Sequence, residues 1–297
     1  MKQFTQLQKL LNHPLNSNRK IKTFARIVWW KFNQLFLNIP AIIEMAPGAK
    51  LICYPQSSYG SFVVYANFPE YNEMRFIQNF VKDGDIVLDV GANIGSISIL
   101  AASRGEKVRV FAFEPTEKII PLVKENIGVN GFEERIKIYQ TAVSHKNGFL
   151  QFTIENESEI NHLTSKRHNS STSVKSLRLD TFVKRTNISR IDLLKIDVEG
   201  AEMLVLSGAK KLIQKNQIET IIFEVNENIQ EFGSSVEEMF TFLRNNNYVL
   251  YSFNEKGTLT VITNTYTHTI TTNVVAIVKK PSSISKIKRY NSYVSYS

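Results

Sequence analysis

The chain has 297 residues, 43% hydrophobic and 21% charged, the make-up of one large globular domain or one domain with an extension. Its single cysteine, Cys53, excludes an intrachain disulfide and a cysteine-based zinc cluster. The net charge of +9 sits at the ends: residues 1–50 hold eight Lys or Arg against one acid, residues 279–297 hold five and none, and the rest carries a net −3.

A nucleic-acid groove would set its positive charge beside the active site. Basic ends instead fit contact with anionic lipid or another polyanion, or solvated tails. Residues 1–18 lack an apolar h-region, so no secretory leader is expected, and a reducing, cytoplasmic location follows. One reading adds a peripheral position on the inner membrane surface.

Ile21 to Leu37 has a helical period, with Ile21, Phe24, Val28, Phe32 and Leu35 on one face. Arg26 and Lys31 make it too polar for a membrane span. Packing of that face on the body or on a second subunit is the preferred reading. An interfacial membrane helix, with Trp29 and Trp30 at headgroup level, is the alternative. Ala49 to Tyr65 reads as a strand or hairpin cover, and Glu70 to Phe80 as a helix whose Tyr71 and Glu73 are near enough in sequence to line a pocket.

Ile86 to Val90 is a short apolar run, a buried parallel strand tipped by Asp89. Gly91, Ala92, Asn93, Ile94 and Gly95 form a tight turn, and Ser96 to Ala102 start a buried helix. The turn is G-x-N-x-G, not the G-x-G-x-x-G that lets a backbone approach a pyrophosphate. An acid just ahead of it suits an ammonium group. A ligand with both amino and carboxylate groups matches, and S-adenosylmethionine is one. Val108 to Phe113 is a second strand ending at Glu114-Pro115, where this fold type holds ribose hydroxyls.

Thr116 to Asn130 read as a helix and Ile136 to Ala142 as a third strand, whose end at Ala142 is placed to meet an adenine edge. Gly148 to Ile154 resumes strand character. Glu155 to Ser173 is polar, a disordered loop or a lid, with His162 and His168 as base candidates. Ile191 to Ile196 is a fourth strand that ends in D-V-E-G-A-E. First and fourth strands adjoin at the switch point of a doubly wound sheet, so Asp197, Glu199 and Glu202 gather near the cofactor. Glu219 to Val225 is a fifth strand tipped by Glu224. Val236 to Arg244 is a helix, Tyr248 to Thr263 a hairpin and Val274 to Val278 a last strand.

D-V-G-A-N-I-G (89–95), F-E-P (113–115), L-D-T-F (179–182), L-L-K-I-D-V-E-G-A-E (193–202) and I-I-F-E (221–224) resemble the FkbM family of S-adenosylmethionine-dependent methyltransferases. The resemblance covers about residues 70–250. It implies a class I, Rossmann-like α/β fold: a seven-stranded, mostly parallel sheet with helices on both faces. It also implies cofactor contacts at Asp89, Gly91, Asn93, Gly95 and Glu114; Ala92 and Pro115 belong to the same turns. Family members often methylate hydroxyls of sugars or natural products.

The expected organisation is a basic amphipathic helical extension (1–48), a methyltransferase domain (49–280) and a basic tail (281–297). O-methylation of a small-molecule, glycan or glycolipid hydroxyl is the expected activity. Asp197 is the first candidate for the base and Glu199 the second. A hard cation among Asp197, Glu199, Glu202 and Glu224 is a rival scheme with no regular ligand spacing, so no metal is expected. A nucleic-acid methyltransferase, or a non-catalytic binding protein docked on a membrane, are further alternatives. Against the former, D-V-E-G stands where base methylators carry a proline and an aromatic.

Overall fold

The computed structural model describes residues 10–153, 162–163, 171–263 and 272–296. Helix α1 (Lys20–Phe32) continues into a π turn at Asn33–Leu37. Strands β1 (Ala41–Ala46) and β2 (Ala49–Cys53) pair antiparallel around Gly48. The expected boundary between residues 48 and 49 therefore falls inside a hairpin. Helices α2 (Ser58–Ala66) and α3 (Tyr71–Phe80) follow.

Two expectations fail in this region. The S-F-V-V-Y-A run is the α2 helix rather than a strand. The Ser57 hydroxyl accepts from the Gly60 N–H at 2.7 Å and caps its first turn, and Val63 and Val64 bury against the body, so packing overrides β propensity. Helix α1 packs, but by the opposite face. Thr23 and Trp30 are buried while Ile21, Phe24, Val28 and Phe32 point outward. The body offers polar partners to that inner face: the Trp30 indole N–H donates to Ser61 Oγ at 2.9 Å and Arg26 to Asn67 Oδ1 at 3.0 Å.

The body is one sheet with a core on each face. Its parallel strands are β3 (Ile86–Val90), β4 (Arg109–Phe113), β5 (Ile136–Tyr139), then, beyond the side sheet below, β10 (Ile191–Ile196) and β11 (Ile218–Val225). Helices α4 (Ser96–Ala102) and α5 (Ile120–Asn130) connect the first three. Side chains alternate between faces: Val87, Val110, Leu193 and Ile222 join one core, Leu88, Phe111, Leu194 and Phe223 the other. Both faces are covered, so these strands are apolar almost throughout.

A side sheet of β6 (Ala142–Val143), β7 (Gly148–Thr153), β8 (His162–Leu163) and β9 (Ser171–Leu177) leaves the main one after β5. The expected third strand is therefore split. It stops at Tyr139, and Ala142 belongs to the side sheet, packed with Val174 and Ala201. Most of the polar stretch 155–173, His168 included, lies outside the described residues. The backbone of His162 pairs with that of Thr153.

Helix α6 (Leu179–Thr186) precedes β10; α7 (Glu202–Gly208) and α8 (Lys210–Gln214) precede β11. After α9 (Val236–Asn245) come β12 (Tyr248–Phe253), β13 (Leu259–Val261) and β14 (Thr272–Val278). The sheet order is β13-β12-β14-β11-β10-β3-β4-β5, eight strands rather than seven, with β14, β12 and β13 antiparallel. The fold class is as expected; the short edge strand β13 makes the difference.

The segment expected to be a basic tail is helix α10 (Pro281–Tyr296), docked on the body. Tyr290 lies against Phe76 with ring centroids 5.0 Å apart, and its hydroxyl donates to the Gly257 carbonyl at 2.9 Å. Lys286 pairs with Glu219 at 2.7 Å. Basic composition hid an inner stripe of Ile287, Tyr290 and Val294 at helical spacing.

Phe223 is fully buried beneath α9, in edge contact with Phe240. Phe223→Ala is expected to cost about 3–5 kcal/mol, read as a lower urea midpoint with an unchanged m-value.

Candidate functional site

The C-terminal tips of β3 and β10 lie side by side, and their turns touch. The Asp197 N–H donates to the Val90 carbonyl at 2.9 Å. Gly91 has φ +82°, and a Cβ there would stand 1.8 Å from the Asp197 carbonyl oxygen. Glycine is thus required twice over, by backbone conformation and by the approach of the second turn. The Gly91 and Ala92 N–H groups donate to the Phe113 carbonyl at 3.0 Å each, binding the first turn to the tip of β4.

Glu114 completes that corner. One carboxylate oxygen accepts from the Asn93 N–H at 3.0 Å, the other from the Thr116 N–H at 2.9 Å. Burial raises its pKa, opposed by those hydrogen bonds. Asn126 of α5 donates to the Ile94 carbonyl at 2.9 Å and accepts from the Ile52 N–H at 2.7 Å, tying the turn to β2. Tyr59 of α2 meets Ser96 Oγ at 2.7 Å from another side.

Beneath the two turns lies a buried charge cluster centred on Lys195. Its Nζ is 3.0 Å from Asp197 Oδ2 and 3.2 Å from Glu73 Oε1. Lys195 also stands opposite Asp89 in the β10–β3 pairing. Burial alone would favour a neutral amine, but Asp197, Glu73, Glu70 and Asp89 outweigh it and hold Lys195 well above its ordinary value, fully charged. Burial pushes Glu73 up to about 8 and Glu70 up to about 7, even against the pull of Lys195.

The acids of the second turn differ in environment. Asp197 keeps 29% of its side chain exposed while bonded to Lys195. Glu199 is in the left-handed region, φ +52°, rare for a glutamate, and leads into Gly200 at φ +104°. Glu202 faces back: one oxygen accepts from the Val198 and Gly200 N–H groups at 3.2 Å each, so it braces the turn. Glu224, at the tip of β11, is pushed up to about 7 by burial first, then by the charges of Asp197 and Glu199.

The structure therefore brings Gly91, Ala92, Asn93, Gly95, Glu114 and Pro115 into one corner, with Asp197, Glu199 and Glu224 on adjoining strand tips. Asp89 lies deeper than expected. It is 1% exposed and its Oδ2 accepts from Ser98 Oγ at 2.6 Å, so it anchors the turn from below and leaves almost no surface for a ligand's ammonium. Among the described residues, no group of three His, Cys, Asp or Glu side chains is arranged to hold a metal ion.

The corner fits S-adenosylmethionine by its donor set. Asn93 Oδ1 is buried without a protein partner, an acceptor left for a ligand donor. Each Glu114 oxygen accepts from one backbone N–H, and the carboxylate has acceptor capacity beyond those two bonds for a ribose hydroxyl. Lys195, Glu70 and Tyr59 went unread in the sequence. A lysine inside L-L-K-I was the available signal, because a charged residue in a fully buried strand requires partners.

Comparisons with known proteins identify the family of this chain. The family model described as the methyltransferase FkbM domain matches residues 89–250. The 2-O-methyltransferase NoeI of Sinorhizobium fredii is 28% identical over 153 residues, 46% of this chain and 62% of NoeI. The hexuronic acid methyltransferase AglP of Haloferax volcanii is 24% identical over 157 residues, 53% of this chain and 62% of AglP. The chain thus spans about three fifths of either relative. Among solved structures, M. capricolum TrmK in complex with S-adenosylhomocysteine superimposes with a TM-score of 0.42 at 15% identity, over 70% of this chain and 68% of that one.

Two substitutions test the site. Gly91→Ala is expected to force the turns apart, costing about 1–3 kcal/mol in stability and abolishing the calorimetric heat with S-adenosylhomocysteine. Lys195→Met leaves buried carboxylates without their cation and is expected to cost about 3–5 kcal/mol at alkaline pH. Glu70 and Glu73 have folded values above their unfolded ones, so the folded protein binds the extra protons, and stability falls as pH rises from about 4.5 through about 8. The deficit of the variant in urea titrations should accordingly grow from acid to alkaline pH.

Proposed function

The chain belongs to the methyltransferase FkbM family, whose members use S-adenosylmethionine, and on that premise we propose that it methylates a hydroxyl oxygen of a sugar, glycan, glycolipid or related natural product. The observation that carries this reading is the gathering of Asp197, Glu199 and Glu224 at the adjoining tips of β10 and β11, where burial raises Glu224 to about 7. Methylation of a hydroxyl requires removal of a proton, and a group of pKa about 7 suits that task. The names of NoeI and AglP, a 2-O-methyltransferase and a hexuronic acid methyltransferase, point the same way. Three acids at these strand tips, Asp197, Glu199 and Glu224, disfavour a polyphosphate acceptor such as nucleic acid.

In this scheme the cofactor supplies a methyl group on a positively charged sulfur. Glu114 and Asn93 would hold its ribose and amino-acid ends, and Gly91 lets the Asp197 turn pack directly against the first turn. Asp197, fixed by Lys195, accepts a hydrogen bond from the acceptor hydroxyl and sets its orientation. Glu224 takes the proton as the new bond forms, and Glu199 is its neighbour in reserve. Residues 89–114 thus serve binding and residues 197–224 serve the acceptor.

The test is transfer of labelled methyl from S-adenosylmethionine to extracted glycans and glycolipids, followed by hydrolysis and mass spectrometry for an O-methyl sugar. Turnover should rise with pH through about 7, as Glu224 ionises. Glu224→Gln should lower kcat on the order of a hundredfold and flatten that limb, with cofactor heat unchanged. Label confined to protein or RNA would overturn the proposal.

A further inference from the structure

Helix α1 presents its apolar stripe to solvent. Ile21 is 89% exposed, Phe24 52%, Val28 52% and Phe32 50%, and the π turn extends the stripe through Leu35 at 75% and Phe36 at 71%. A helix on a globular body ordinarily buries that stripe. Here the inner face is already satisfied by Trp30, Arg26 and Thr23, so the helix is fixed in place with its apolar side outward. At helical spacing, Lys20 and Lys31 flank one edge of the stripe and Lys22 the other, and all three are exposed.

We propose that this face docks flat on an anionic lipid bilayer. An apolar strip rimmed by lysines matches acyl chains beneath a layer of phosphates. Charge argues against a second copy of the chain as the occupant. No Asp or Glu precedes Glu44 in the sequence, so a two-fold dimer through this face would bring like charges together. No helix among the described residues is long and apolar enough to cross a membrane, so the contact is parallel to the surface. The inner face of the same helix is connected to the cofactor corner: Trp30 bonds Ser61 of α2, and Tyr59 on α2 bonds Ser96 at the start of α4.

The test uses the full chain with vesicles of phosphatidylcholine, alone or mixed with phosphatidylglycerol. Trp29 is 48% exposed and Trp30 fully buried, so a blue shift on adding vesicles reports Trp29. Co-sedimentation with phosphatidylglycerol vesicles, weakened by salt, is expected. The double variant Phe24→Ser/Val28→Ser should lower partitioning at least about tenfold with an unchanged circular dichroism spectrum. Lys20→Glu/Lys22→Glu should remove the preference for the anionic vesicles. Absence of binding to phosphatidylglycerol vesicles overturns the proposal. So does a dimer on size-exclusion chromatography that Phe24→Ser/Val28→Ser dissolves while vesicle binding is unaffected.

Discussion

A single ammonium group, that of Lys195, holds the working end of the sheet together. Four carboxyl groups feel its charge: Asp89 on β3, Asp197 at the tip of β10, Glu73 on α3 and Glu70 just before it. Without it they would repel one another in a medium that screens poorly. With it, the two strand tips can approach until the backbone of one turn occupies the space a side chain would need on the other. Burial raises Glu224 to about 7, and the charges of Asp197 and Glu199 add to that rise.

Much of the central sheet was legible because four of its five parallel strands are largely apolar runs that end at or beside an acid. Asp89, Glu114, Asp197 and Glu224 each mark such an end, and the structure sets all four at the same edge. The roles of these acids were less legible. Asp89 and Asp197 look alike in one dimension, yet one is sealed under a turn and bonded to Ser98 while the other is partly open. That difference arises from strand register and from α3 lying across them, neither of which local spacing encodes.

The misread parts share one cause. In α2, α10 and the third strand, partners distant in sequence decide the outcome. Val63 and Val64 enter a helix that packs them into the core of the body; the basic C-terminal segment folds because Phe76 offers a ring to Tyr290. Helix α1 is the clearest instance. Its period was plain, but its orientation depends on Ser61 and Asn67, which hold its polar side inward. Amphipathicity says that two faces differ, and only the surroundings say which one turns in.

Asn126 carries a consequence for where this domain begins. The segment matched by the family model starts at residue 89, yet the side chain that steadies the first turn from within that segment also grips the Ile52 amide outside it. The hairpin is therefore a splint for the turn. A truncated version starting at the matched segment would retain every motif and lose that brace, along with Tyr59, Glu70 and Glu73. The set of residues that supports the turn extends beyond the recognisable segment.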